Sequence, residues 1–249
     1  MPIYDPDHVE YNISHGHVQI VMDDGRQLPA YWAHPAMGRK FPGTVLIHDW
    51  WGVTDMVRRL ANLFAQTGYY VMVPDLFSGQ TPKTPQEAIQ LVKNLEGLGY
   101  RQIDAALGAL EHHHQSNKKV AAVGIGMGGS LAFEAAIMRQ DLEAAISYGG
   151  FPHRYFGQFK DAPTPIFAMY GEAEPYVNAH SIRQLRDELA QSKFDLPHRV
   201  EIVRDLAHDF FASNFTDKQR ERSRGVLKET FAFLDKHLEK VQQPPRQVY

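Results

Sequence analysis

Cysteine is absent from all 249 residues. That removes disulfide stapling and thiolate chemistry together. No apolar run approaches the roughly 18 residues that a membrane-spanning helix needs. The first residues, Met1 to His8, are polar and acidic, unlike the basic start and apolar stretch of a signal peptide. A cytoplasmic protein without membrane contact is therefore expected. Charge of one sign is also scarce: 26 basic against 29 acidic residues leave a net −3. Such a balance gives no basic footprint for nucleic acid. No composition shift marks a boundary and no repeat of about 20–50 residues is found. A single domain over residues 1–249 is expected, with its core at about 15–240. Pro244-Pro245 cannot extend a preceding helix, so residues 242–249 are expected to form a loose tail. At this length a chain can bury roughly three quarters of its unfolded surface, so it needs no metal staple.

What is present is an alternation. Short apolar, β-branched runs predict strands at His17–Met22, Leu28–His34, Gly43–His48, Tyr69–Val73, Val120–Gly124, Ala144–Tyr148, Pro165–Tyr170 and Arg199–Val203. Between them, helical periodicity covers Asp55–Thr67, Pro85–Leu95, Tyr100–His114, Gly128–Met138, Ala179–Gln191 and Asp217–Lys240. Runs such as Thr44-Val45-Leu46-Ile47 read as buried on both faces, the mark of a parallel sheet covered by helices. The first two strands follow one another through Asp24-Gly25 and read as an antiparallel hairpin at one edge. The fold class is α/β: a doubly wound, mostly parallel sheet of about eight strands with helices on both faces.

Chemistry concentrates at Lys119–Ala136, an apolar strand, a glycine-dense turn and an Ala-rich helix. The pattern G-x-S-x-G places a nucleophile on a sharp strand-to-helix turn, where the next backbone N–H supplies part of an oxyanion hole. Gly124-Ile125-Gly126-Met127-Gly128 keeps that frame, yet its centre is Gly126, which has no side chain to attack with.

The stretch resembles the elbow V-G-x-C-x-G-G of the dienelactone hydrolase (carboxymethylenebutenolidase) family of the α/β-hydrolase superfamily, with the cysteine exchanged for Gly126. Other segments resemble the family in the same order. His48-Asp49-Trp50-Trp51-Gly52-Val53 ends a buried strand where the family has an acidic residue, an oxyanion-hole amide and a glycine. Pro74-Asp75-Leu76-Phe77 is similar to its P-D-L-Y, although Gly79 falls about where a substrate-gripping arginine follows. Gly171 to Val177 matches G-x-x-D-x-x-V with Glu174 at the acid position. Asp205 to Phe210 resembles the histidine loop G-x-x-H-x-F, with Asp205 in place of glycine and His208 as the histidine. The resemblance covers residues 15 to 240. It implies Glu174, His208 and Asp49 as catalytic groups around the empty position at Gly126, and the Trp50 and Met127 backbone amides as the oxyanion hole. Trp51, Phe77 and Phe210 are expected to line the pocket. No cofactor and no metal are implied.

Several motifs carry rival readings. Gly124-x-Gly126-x-x-Gly129 also satisfies the dinucleotide fingerprint, but it follows at least two earlier α/β units and the next strand ends in Gly149-Gly150 rather than an acidic ribose ligand. His112-His113-His114 cannot converge on one ion, because consecutive helical residues point about 100° apart. His15 and His17 share a face but supply only two ligands. Ser130, about one helical turn past the elbow, reads as a packing residue and not a substitute nucleophile. Trp32 reads as core or partner surface. The charges of the last helix, including Lys236 and Glu239, read as a solvated face.

Three functions follow from these readings. One is a family member that binds a small ester, lactone or carboxylate without acyl transfer. Another is a hydrolase in which water takes the thiol's role with His208 as base. The third is a dinucleotide-binding α/β protein.

Overall fold

The computed structural model describes residues 11–38, 40–95 and 97–240. The Met1–His8 segment and the 242–249 tail lie outside the described residues. One eight-stranded sheet organises the chain. In chain order the elements are β1 Ile13–Val21, β2 Gln27–Pro35, β3 Phe41–Ile47, α1 Asp55–Gln66, β4 Tyr70–Pro74, α2 Pro85–Asn94, α3 Gly99–Glu111, β5 Ser116–Ile125, α4 Met127–Met138, β6 Ala144–Tyr148, β7 Ile166–Gly171, α5 Ala179–Ala190, β8 Arg199–Val203 and α6 Asp217–His237. Two short 3-10 turns lie between β6 and β7. The spatial order is β1-β2-β4-β3-β5-β6-β7-β8. The first two strands form the expected antiparallel hairpin, and β2 joins β4 antiparallel. From β4 to β8 every neighbouring pair is parallel.

Strand alternation divides the apolar side chains between the two faces. Val45, Ile47, Val120 and Ala122 pack on one side with α3, α4 and α5. Leu46, Ala121 and Val123 pack on the other with α1 and α6. Because both faces are covered, the central strands read as unbroken apolar runs. Three helices begin with a threonine that accepts a first-turn amide: Thr54, Thr84 and Thr216, the last within a full capping box with Gln219.

Boundaries differ from expectation where pairing overrides composition. β1 begins at Ile13 and not His17, because Ile13 to His15 pair with Pro35 to Ala33. β5 begins at Ser116, four residues early, and runs through a polar stretch that pairs Phe41 with Ser116. The helix expected to reach His114 stops at Glu111, with His112 as its cap. The last helix stops at His237, and Glu239 adopts a left-handed backbone of φ 49°. Lys236 and Glu239 therefore do not form a helical pair; Glu239 faces Lys119 instead.

The turn from β5 into α4 is built by backbone contact. A Cβ on Gly124 would lie 2.0 Å from the carbonyl oxygen of Gly128, and one on Gly128 would lie 2.3 Å from that of Ile47. These neighbours are backbone and cannot swing aside. Gly124→Ala is expected to destabilise the fold by about 3 kcal/mol, the upper end of ordinary overpacking. A denaturant midpoint unchanged from the parent would show that the turn opens without cost.

Candidate active site

The carboxyl ends of β3, β5, β6 and β7 meet at one cavity of about 750 Å³. Its floor is the turn after β5. Gly126 has φ 53° and ψ −114°, a conformation that a Cβ disfavours and glycine enters freely. Its N–H donates to the Tyr148 carbonyl at 2.8 Å, and its carbonyl accepts the Ser130 N–H at 3.2 Å. The residue is thus fixed from both sides.

His208 stands over this glycine. Its Nδ1–H donates to the Glu174 carboxylate, 2.9 Å from one oxygen and 3.1 Å from the other. A carboxylate only accepts, so Nδ1 carries the proton and Nε2 of the neutral ring is left as a base. A Cβ on Gly126 would lie 3.2 Å from Nε2. The Glu174 carboxylate is 2% exposed and also accepts the Tyr176 N–H at 2.9 Å. Glu172, the other acidic residue of that turn, is exposed and accepts the Asp205 N–H at 3.3 Å. Asp205 has φ 65°, which explains why a glycine suits this position, and Lys218 holds its carboxylate.

Asp49 forms the opposite wall. Its Cβ lies 3.6 Å from a Cβ placed on Gly126. Burial pushes its carboxyl up to about 6, and the nearby Asp209 carboxylate adds to the rise. The Trp51 N–H and the proximity of His208 oppose it. The loop that carries Asp49 is tied down by a residue that sequence reading missed as a site element. His48 donates Nδ1–H to the Asp49 carbonyl at 2.6 Å and accepts the Leu76 N–H on Nε2 at 3.1 Å. Complete burial holds this imidazole neutral by lowering its pKa. Between His48 and Gly126, the Trp50 and Met127 N–H groups make no hydrogen bond with the described residues. Both residues line the cavity.

The structure therefore brings together Gly126, His208, Glu174, Asp49, Trp50, Met127 and Trp51. It does not bring Phe77 and Phe210 into the pocket. Phe77 is 3% exposed and packs edge-on against His48 at 5.0 Å. Phe210 is 1% exposed and packs against Tyr148 and Phe211. Both rings are taken up by the apolar layers on the two faces of the sheet, where burial removes them from water. Phe151 and Tyr176 take the aromatic positions beside His208 instead, with ring centroids 5.9 and 4.8 Å from the imidazole. Both tryptophans, Trp50 and Trp51, line the cavity, edge to face at 5.4 Å. Ser130 does more than pack: its Oγ accepts the Phe151 N–H at 2.9 Å and so holds the cavity wall.

Gly149 was legible only as the end of a strand. A Cβ there would fall 2.9 Å from the His208 ring, so this glycine clears room for the imidazole. Two glycines of the dinucleotide-like pattern are similarly committed. Gly124 faces the Gly128 carbonyl, and a Cβ on Gly129 would lie 2.6 Å from the Ser147 hydroxyl oxygen. Neither offers open backbone to a pyrophosphate, which argues against nucleotide binding at this turn. Among the described residues, no group of three or more His, Asp or Glu side chains is placed to hold a metal ion. No helix among them is long and apolar enough to cross a membrane.

Two outcomes follow from this geometry. The folded protein holds the Asp49 proton more tightly than the unfolded chain between pH of about 4 and about 6. Stability therefore falls as pH rises through that window. Asp49→Asn, which keeps an acceptor for Trp51, should gain about 1–3 kcal/mol over the parent at pH 8, at roughly 1.4 kcal/mol for each tenfold change in proton affinity. It should gain little below pH 4, as read by denaturant melts; equal gains at both pH values would place this carboxyl in water. Gly126→Cys should cost about 1–2 kcal/mol, since a Cβ enters a strained conformation. A Cys variant as stable as the parent would count against this turn geometry.

Comparison with known proteins agrees with this architecture. A profile of the dienelactone hydrolase family matches residues 28–238. The chain is 25% identical over 225 residues to Protein usf of Aquifex pyrophilus, covering 86% of this chain and 96% of that one. It is 28% identical over 182 residues to a carboxymethylenebutenolidase of Pseudomonas putida, covering 69% and 76%. Among solved structures, a dienelactone hydrolase-like promiscuous phosphotriesterase from metagenomic libraries superposes with a TM-score of 0.77 at 18% identity, covering 88% of this chain and 98% of that one.

Proposed function

Because the chain belongs to the dienelactone hydrolase family of α/β-hydrolases, we propose that it hydrolyses small carboxylic esters or lactones by direct attack of water, with His208 as general base. One observation carries this reading. The Nδ1–H of His208 is committed to a buried carboxylate, so Nε2 is a base directed at the space a nucleophile would fill above Gly126.

In this mechanism Nε2 removes a proton from water as its oxygen bonds to the substrate carbonyl carbon. The carbonyl oxygen takes up negative charge, and the Trp50 and Met127 N–H groups are the donors available to it. The imidazolium formed is stabilised by Glu174, as in triads where a buried carboxylate orients a histidine. Collapse of the tetrahedral species breaks the bond to the alkoxy oxygen, and the imidazolium returns its proton to that oxygen. The products are one acid and one alcohol. No acyl-enzyme forms. Asp49, with its carboxyl raised to about 6, is a second proton carrier on the opposite wall.

The test is hydrolysis of an aryl acetate by the parent, His208→Ala and Gly126→Cys. The parent should turn over without a pre-steady-state burst. His208→Ala should lower kcat/KM by about 10²–10⁴, the range of general-base catalysis. A silent parent together with a burst in Gly126→Cys would instead support a ligand-binding site that lacks only a nucleophile. Parent activity untouched by His208→Ala would refute the proposed base.

A further inference from the structure

Helix α4 presents a continuous stripe to the cavity. Gly126, Ser130 and Glu134 recur every fourth residue and all line it, with Met127 and Leu131 between them. Glu134 lies eight residues past Gly126, a rise of ~12 Å along the helix. Helical side chains lean towards the N-terminus, which shortens the reach to its carboxylate. This acid is half-buried and not on the outer surface. One of its oxygens accepts the Tyr155 hydroxyl at 2.9 Å. The other has no hydrogen-bond or ion-pair partner among the described residues.

The lining around this acid is otherwise aromatic and aliphatic. Tyr100, Leu131, Tyr155 and Phe151 line the cavity with it, as do the tryptophans of the β3 loop. The carboxylates in the lining are Asp49, Glu134 and Asp209; Arg154 is the one guanidinium, and it is exposed at the rim. An anion at the Glu134 end of this cavity would meet a carboxylate of like charge, whereas a cation there would meet that carboxylate and the faces of aromatic rings. The negative face of an aromatic ring attracts a desolvated cation.

We propose that Glu134 is a specificity-determining residue, and that the cavity takes esters whose remote end carries an ammonium or alkylammonium group. As a substrate assignment this rests on the hydrolase reading above. As a binding assignment it does not. The scissile carbonyl sits at Gly126, the chain runs along Met127 and Leu131, and the cation reaches the free oxygen of Glu134. Tyr155 positions that carboxylate by donating to its other oxygen.

Three aryl esters with the same acyl chain of ~5 methylenes, a length set by the helix rise, test it. One ends in trimethylammonium, one in its uncharged tert-butyl isostere and one in a carboxylate. The matching methyl ketones, which cannot be hydrolysed, are titrated into the parent and into Glu134→Gln by calorimetry. Binding of the cationic ketone to the parent should exceed that of its isostere by about tenfold. Glu134→Gln, whose amide oxygen still accepts from Tyr155, should bring the ratio to within about twofold and leave the neutral ketone unchanged. For the esters, kcat/KM should follow the same order. Equal affinity for the cationic and neutral ketones, no binding by either, or a ratio indifferent to Glu134→Gln overturns the proposal. So does preference for the carboxylate, which would assign the far end to Arg154. Cation-selective ketone binding without ester turnover would uphold the role of Glu134 and sink the hydrolytic reading alone.

Discussion

At Gly124 and Gly128 the backbone of the turn after β5 lies so close to its neighbours that no side chain fits, and the rest of the site depends on that approach. Gly124 meets Gly128 across the turn, and Gly128 meets the carbonyl of Ile47 at the end of β3. The N-terminus of α4 is thereby pressed against the strand that carries Asp49 and Trp50. Without the approach, the Met127 and Trp50 amides would not share one cavity. His48 secures the other half of the arrangement: buried and neutral, it bridges the Asp49 carbonyl to the strand-end loop at Leu76.

On this rigid floor a polar pair is set in mostly apolar surroundings. A carboxylate that is 2% exposed would be costly without partners, and Glu174 has both the His208 ring and the Tyr176 amide. The pair fixes the tautomer of His208 and so decides which nitrogen faces Gly126. Orientation of a base does not require a side-chain nucleophile below it. The geometry therefore keeps Nε2 of His208 directed at the space above position 126 although that residue is glycine. Asp49 faces the same space with its carboxyl raised by burial. Two titratable groups in different environments, one oriented by a carboxylate and one raised by desolvation, meet at one point of the cavity.

The α4 stripe extends this logic away from the reacting centre. Its polar positions recur at helical spacing because residues four apart share a face. One helix with its N-cap thus carries Gly126, a hydroxyl that holds Phe151, and the carboxylate of Glu134.

The sequence alone determined the architecture and named the residues that meet around Gly126. Apolar runs of strand length and helical periodicity are local signals, and local chemistry sets them. The glycine-dense turn was legible from its own spacing, and the Glu174 turn and the His208 loop through their resemblance to the dienelactone hydrolase family. Tertiary structure decided what long-range geometry controls. It extended β1 and β5 beyond their apolar cores through cross-strand pairing, and it turned Phe77 and Phe210 into the core while Phe151 and Tyr176 took the cavity wall. It also gave Gly149 the task of clearing His208, made His48 a brace, and left Glu134 half-buried with one oxygen unpartnered among the described residues. None of these could be read from spacing, because each depends on which distant backbone or ring lies within a few ångströms once the sheet has assembled.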